Sequence, residues 1–110
     1  MLDRYILKHE GYPESIGELL IDYEEDSYDF MKNRNYKGPL PFFLQFEDSL
    51  LSTSEKIKMW VLSRSPEQEY EFIDALIEKA GLEAYDPYGF FKYNNGKFIP
   101  DRFYVELIRD

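Results

Sequence analysis

The chain has 110 residues, enough for one ordinary domain and too few for two. With 22 Asp and Glu against 13 Lys and Arg it carries a net charge of −9, which argues against a generic nucleic-acid-binding surface, because phosphate attraction needs a surplus of cations. It has no Cys and one His, which excludes disulfides, thiolate metal sites, a cysteine nucleophile and multi-His sites, while 44 % hydrophobic and 18 % aromatic residues exclude a disordered chain of low hydrophobicity.

At the N-terminal end, Tyr5-Ile6-Leu7 reads as a short strand rich in β-formers. Lys8 and His9 break the apolar run, so a secretory signal peptide is not expected. Nowhere do 18 apolar residues run together, so no membrane-spanning helix is expected, and a soluble cytoplasmic protein is the expectation. Glu10-Gly11-Tyr12-Pro13 reads as a turn, with Pro13 suited to a first helical position. Ile16, Leu19, Leu20 and Tyr23 then recur at helical spacing, and Phe30 and Met31 continue the stripe. Residues 13–34 are therefore expected to be helical, as one long helix or as two short ones broken near Asp26-Ser27, although Gly17 inside costs about 1 kcal/mol relative to Ala.

Gly38-Pro39 and Pro41 mark residues 33–41 as a loop, and Phe42-Phe43-Leu44-Gln45-Phe46 reads as a buried strand. Ile57, Met59 and Val61 alternate with Lys56, Lys58 and Trp60, which predicts a strand over residues 56–62. Capping-box spacing between Ser52 and Glu55 supports a competing helix. A helix is expected over residues 66–80, with Ser65 as N-cap, Pro66 as first residue, Gln68 completing the box, Ile73, Leu76, Ile77 and Ala80 as the apolar stripe, and Gly81 as the stop. Residues 89–99 read as a hairpin turning on Asn94-Asn95-Gly96, and residues 102–108 alternate as a last strand. The resulting order, β-α-β-β-α-β plus a C-terminal hairpin, predicts a single α+β domain spanning 1–110, a ferredoxin-like sheet with helices on one face.

The charge is unevenly distributed. Residues 1–55 hold 12 acids and 5 bases, whereas residues 56–110 hold 10 acids and 8 bases. Between Lys8 and Lys32 there is no cation, and Glu14, Glu18, Asp22 and Asp26 are each four residues apart. On a continuous helix they would form a ridge with steps of about 6 Å, near the spacing of phosphates along a nucleic-acid strand. Such a ridge costs the isolated helix about 0.2–0.5 kcal/mol per like-charge pair and would attract a basic surface. Glu14, Glu18, Asp22, Glu25, Asp26 and Asp29 are therefore the expected partner-binding residues. A solvated helix face, or a divalent cation site built from Asp22, Glu25, Asp26 and Asp29, are the competing readings.

His9 beside Glu10 has the makings of a general base with an orienting carboxylate, but neighbours on a strand point to opposite faces, so a structural role in the turn is expected. The string Tyr5-Ile6-Leu7-Lys8-His9-Glu10-Gly11-Tyr12-Pro13-Glu14-Ser15-Ile16-Gly17 resembles the opening of small phage and prophage proteins, in which an apolar strand is followed by His, a spacer, Asp-Gly-Tyr-Pro and a Gly that starts a helix. Here the spacer is absent and Glu10 stands for Asp. The resemblance implies a mobile-element context and no particular activity.

No Ser or Cys nucleophile motif and no Gly-rich phosphate loop accompany these residues. The pairs Glu47-Asp48 and Glu69/Glu71 are the remaining carboxylate candidates for metal-dependent chemistry. Phe42, Phe43, Phe46, Trp60, Phe90, Phe91, Phe98, Phe103 and Tyr104 are expected to be core, and Tyr85, Tyr88 and Tyr93 a surface cluster near Asp86-Pro87. The function expected from all of this is non-enzymatic. A small acidic protein would occlude a basic surface of a partner protein, possessing no cofactor, no metal, and no direct contact with nucleic acid or membrane. An inhibitor, counter-defence or immunity protein, or a nucleic-acid mimic that covers a nucleic-acid-binding protein, fits that description. A small-molecule or nucleotide-binding regulatory domain on a homodimer is the alternative, and a metal-dependent enzyme the third.

Overall fold

A computed structural model describes residues 1–45, 50–98 and 100–109. Strands β1 (Asp3–His9), β2 (Gly17–Asp22) and β3 (Ser27–Lys32) come first, then helices α1 (Phe42–Gln45), α2 (Thr53–Leu62), α3 (Ile73–Lys79) and α4 (Pro87–Tyr93), then strand β4 (Phe103–Leu107). The α+β class and the antiparallel sheet are as expected from sequence. The element order is not that of a ferredoxin-like fold, because the first three strands form a meander and β4 returns beside β1, giving the sheet order β3-β2-β1-β4.

The main correction is residues 13–34, which form the β2–β3 hairpin instead of a helix. The apolar residues here satisfy both periods. Leu19 and Ile21 point into the core and Glu18, Leu20 and Asp22 point away, which is strand alternation. What decides between them is the turn at residues 23–26. The Asp22 carboxylate accepts the Glu25 N–H at 3.3 Å, and Asp26 takes a positive φ of 53°, a conformation short acidic side chains tolerate. The acidic run therefore reverses the chain, and the reversal lets each backbone group of β2 find a partner on β1 or β3.

Gly17 opens β2 opposite Lys32. An added Cβ there would overlap the Met31 carbonyl oxygen and lie 2.6 Å from the Phe30 ring. Gly17→Ala is expected to lower stability by about 1–3 kcal/mol through this overpacking, read as a lower urea midpoint with an unchanged slope.

The other differences have local causes. Residues 42–45 are one helical turn after Pro41, with Leu44 N–H bonded to the Pro41 carbonyl at 2.9 Å; Phe46 of the expected strand lies outside the described residues. Residues 53–62 are helical because Ser52 caps them: its Oγ accepts the Glu55 N–H at 3.1 Å and donates to the Glu55 carboxylate at 3.2 Å. Ile57, Trp60 and Val61 then share the buried face, with Met59 outside, so the apparent alternation was a partial view of a helical stripe. Helix α3 starts at Ile73, seven residues later than expected, because Ser65 bonds back to the Leu62 carbonyl at 2.9 Å and is not available as a cap. Its end is as expected, with Gly81 at φ +72°. The expected hairpin near residue 89 is helix α4, started by Pro87 and stopped by Asn95 (φ 55°) and Gly96 (φ 65°); Ile99 lies outside the described residues.

The core lies between the inner face of the sheet (Tyr5, Leu7, Leu19, Ile21, Tyr28, Val105) and α1, α2 and α4 (Phe43, Ile57, Trp60, Val61, Tyr88, Phe91). Of the expected core aromatics, Phe43, Trp60, Phe90 and Phe91 are buried, Phe103 and Tyr104 half-buried, and Phe42 and Phe98 exposed. Tyr88, expected at the surface, is buried.

Candidate interaction surface

The residues expected to form one acidic ridge are dispersed by the hairpin. Glu14 lies in the β1–β2 connection, Glu25 and Asp26 in the β2–β3 turn, and Glu18, Asp22 and Asp29 on the outer face of the sheet. Glu18 and Asp22 are separated by a strand rise of about 13 Å with Leu20 between them, where a helix would give about 6 Å. Three of these charges, on Glu18, Asp22 and Asp26, also meet cations distant in sequence. Arg4 donates to the Glu18 carboxylate, Lys58 lies 2.7 Å from Asp26, and the N-terminal ammonium lies 3.6 Å from Asp22. Among the described residues no group of three or more His, Asp or Glu is placed to hold a metal ion, so Asp22, Glu25, Asp26 and Asp29 do not converge on one. The Glu47-Asp48 pair lies outside the described residues.

His9 has a structural role in the described residues. It is buried, its Nδ1 accepts the Gly11 N–H at 3.0 Å, its carbonyl accepts the Tyr12 N–H at 3.1 Å, and its ring packs edge-on against Phe103 and Tyr12. This ties the Gly-Tyr-Pro turn to β1 and β4. A depression of about 500 Å³ lies nearby between Glu10, Lys97, Phe98 and Arg102, and its Arg102 faces Glu10 at 3.8 Å.

A different surface has the features of an interface. Residues 66–72 form a chain of turns and α3 buries none of its residues. The segment is held from beneath. Tyr85 donates its hydroxyl to the Pro66 carbonyl at 2.8 Å, and Leu76, Phe90 and Tyr93 line a depression of about 270 Å³ with Pro66. On its outer side, Tyr70 and Phe72 are 48 % and 58 % exposed and contact each other edge-on at 5.7 Å. The chain over residues 66–86 carries Glu67, Glu69, Glu71, Asp74, Glu78, Glu83 and Asp86, with Lys79 the single base between residues 65 and 86, and Glu67 and Glu69 line a depression with Tyr70. None of the seven carboxylates forms an ion pair among the described residues. Exposed aromatic area beside unneutralised charge is costly to leave in water and typical of docking surfaces.

The signal for this surface was present in the sequence as the density of Glu at 67, 69 and 71, which also suits the positive end of a helix dipole. Once the helix is known to begin at Ile73, those residues have no dipole to serve. Among the described residues no helix is long and apolar enough to cross a membrane. Comparison with known proteins returns no matching family model, no matching curated protein and no matching solved structure.

Proposed function

We propose that this chain is a non-enzymatic interaction protein that covers a basic surface of a partner protein in the cytoplasm, with the acidic-aromatic face of residues 66–86 as its contact. The single observation that carries the reading is the exposed Tyr70–Phe72 pair in a segment whose seven carboxylates have no cation partner in the described residues. Tyrosine and phenylalanine supply apolar contact area at low entropy cost, and the carboxylates steer a cationic surface into register. The action is steric and electrostatic occlusion without turnover. A nucleic-acid-binding face on the partner fits the charge, and the resemblance of the N-terminal string to phage and prophage proteins is in keeping with an inhibitor, immunity or counter-defence role.

The test is a capture experiment at low salt with variants compared side by side. Binding to a basic partner is expected to fall about tenfold or more for Tyr70→Ala with Phe72→Ala, as for central aromatic residues of an interface, and its on-rate to fall with rising salt. Glu69→Lys with Glu71→Lys is expected to weaken it further. Glu18→Lys with Asp22→Lys is expected to leave binding intact, since both carboxylates already have cation partners. The opposite pattern would move the interface to the outer face of the sheet.

A further inference from the structure

The depression of about 500 Å³ beside Arg102 lies where the turn after β1, the residues after α4 and the start of β4 meet, and its volume is in the usual range for a small-molecule site. Its aromatic walls are fixed from behind. The half-buried Phe103 ring is held edge-on by His9 at 5.1 Å, and the exposed Phe98 ring lies 5.6 Å from the buried Arg64 guanidinium. Asp101 is on the same lining, but Arg64 donates to both of its carboxylate oxygens at 2.8 and 2.7 Å, so its charge is already met. Lys97 and Arg102 are placed differently. Both are exposed, and among the described residues neither side chain forms a hydrogen bond. Lys97 Nζ lies 5.9 Å from the centre of the Tyr104 ring, and Arg102 Nε lies 3.8 Å from the Glu10 carboxylate, beyond hydrogen-bond reach.

We infer that this depression binds a small organic anion with a flat ring, of the nucleoside monophosphate class. Lys97 and Arg102 supply unused N–H donors for a phosphate, and the planar guanidinium suits two phosphate oxygens at once. The exposed ring of Phe98 supplies a stacking surface for a base. A chain of net charge −9 repels anions in general, so an anion site needs a local surplus of cations. That surplus is present here, because with Asp101 neutralised by Arg64 two cations face Glu10 alone. Glu10 and Asn94 bring a carboxylate acceptor and an amide that both donates and accepts, the complement of ribose hydroxyls. A bare phosphate would leave Phe98 uncovered, and a neutral ring would leave the two cations unpaired. A ligand that carries both groups satisfies the whole lining. The site uses no carboxylate of the 66–86 face and does not rest on the role proposed for that face.

The test uses the full chain with adenosine 5′-monophosphate as the probe, and inorganic phosphate and adenosine as its two halves. Titration calorimetry is expected to show one nucleotide bound per chain, with phosphate and adenosine each binding about tenfold more weakly or worse. Amide resonances that shift on titration are expected to fall at residues 10–11, 94–98 and 101–103. Lys97→Gln with Arg102→Gln is expected to weaken the nucleotide about a hundredfold, leave adenosine binding unchanged and leave the urea midpoint unchanged, since both side chains are exposed. Phe98→Ala is expected to weaken the nucleotide about tenfold without affecting phosphate, whereas Phe98→Tyr, which keeps the ring, retains binding. Lys32→Gln, on the strand at the far edge of the sheet, is expected to change nothing. Absence of heat and of resonance shifts at millimolar nucleotide overturns the inference. Phosphate binding as tightly as the nucleotide does so too, as does a Lys32→Gln variant weakened as much as Lys97→Gln.

Discussion

Replacing Arg64 by alanine is expected to remove about 3–5 kcal/mol of unfolding free energy, a large part of the about 5–15 kcal/mol that holds a domain of this size. Arg64 is buried at the end of α2, where its guanidinium lies 4.4 Å from the centre of the Trp60 ring. Its Nη1 and Nη2 donate to the two oxygens of Asp101 at 2.8 and 2.7 Å, Nη2 also reaches the Phe103 carbonyl, and Nε donates to the Gly96 carbonyl. One side chain thus joins α2, the turn after α4, the approach to β4 and β4 itself. Alanine would strand the Gly96 and Phe103 carbonyls and the Asp101 carboxylate together. Lysine is not expected to rescue, because it lacks the planar fork that serves several acceptors at once. Urea unfolding of Arg64→Ala and Arg64→Lys checks both statements.

The same clamp sets an acid limit. Burial pushes the Asp101 carboxyl up, but the Arg64 hydrogen bonds, the Phe103 N–H and the guanidinium charge outweigh it, and the net shift is downward. A carboxyl lowered in the folded state contributes stability that is complete above its ordinary value near 3.9 and is lost as pH falls through the folded value. Asp101→Asn is therefore expected to flatten the stability profile below about pH 4.

Tyr88→Ala is expected to cost about 3–5 kcal/mol, as for other large aromatic truncations in a core. The Tyr88 ring stacks on Tyr23 at 4.8 Å and on Phe91 at 6.1 Å, and its hydroxyl donates to Asp3 at 2.6 Å while lying 2.8 Å from the Tyr5 hydroxyl. Lys92 completes the group, 3.5 Å from the same Asp3 oxygen. Tyr88→Phe separates the hydroxyl from the ring. It leaves the Tyr5 hydroxyl buried without a partner and is expected to cost about 1–3 kcal/mol. Tyr28 is the contrast, because its buried hydroxyl has no partner among the described residues, so Tyr28→Phe is expected to be neutral or stabilising.

These tyrosines also set an alkaline limit. Burial pushes Tyr5 and Tyr28 up to about 12 and raises Tyr88 and Tyr36 as well. A phenol raised in the folded state contributes stability that is complete below its ordinary value of 10 and lost as pH climbs toward the folded value. Unfolding is therefore expected between about pH 10 and 12, with phenolate absorbance rising cooperatively as buried rings are released. A non-cooperative titration at the ordinary tyrosine value would contradict this packing.

What the sequence by itself determined was carried by short-range chemistry. The first and last strands, the Gly81 helix stop, the turn at Gly11-Tyr12-Pro13 and the α+β class follow from alternation, turn residues and β-formers within a few positions. The acidic balance and the absence of cysteine chemistry needed only counting. Tertiary structure decided the rest wherever two local readings were equally good. Residues 16–23 fit a helical and a strand period alike, and pairing with β1 and β3 chose the strand. Residues 56–62 fit both as well, and burial of Trp60 in place of Met59 chose the helix. Charge was the least legible. Glu18 and Asp26 look uncompensated within their own stretch, yet Arg4 and Lys58 reach them across the fold. Seven carboxylates without cation partners among the described residues fall on residues 66–86, because ion pairing depends on distance in space and a sequence records only distance along the chain.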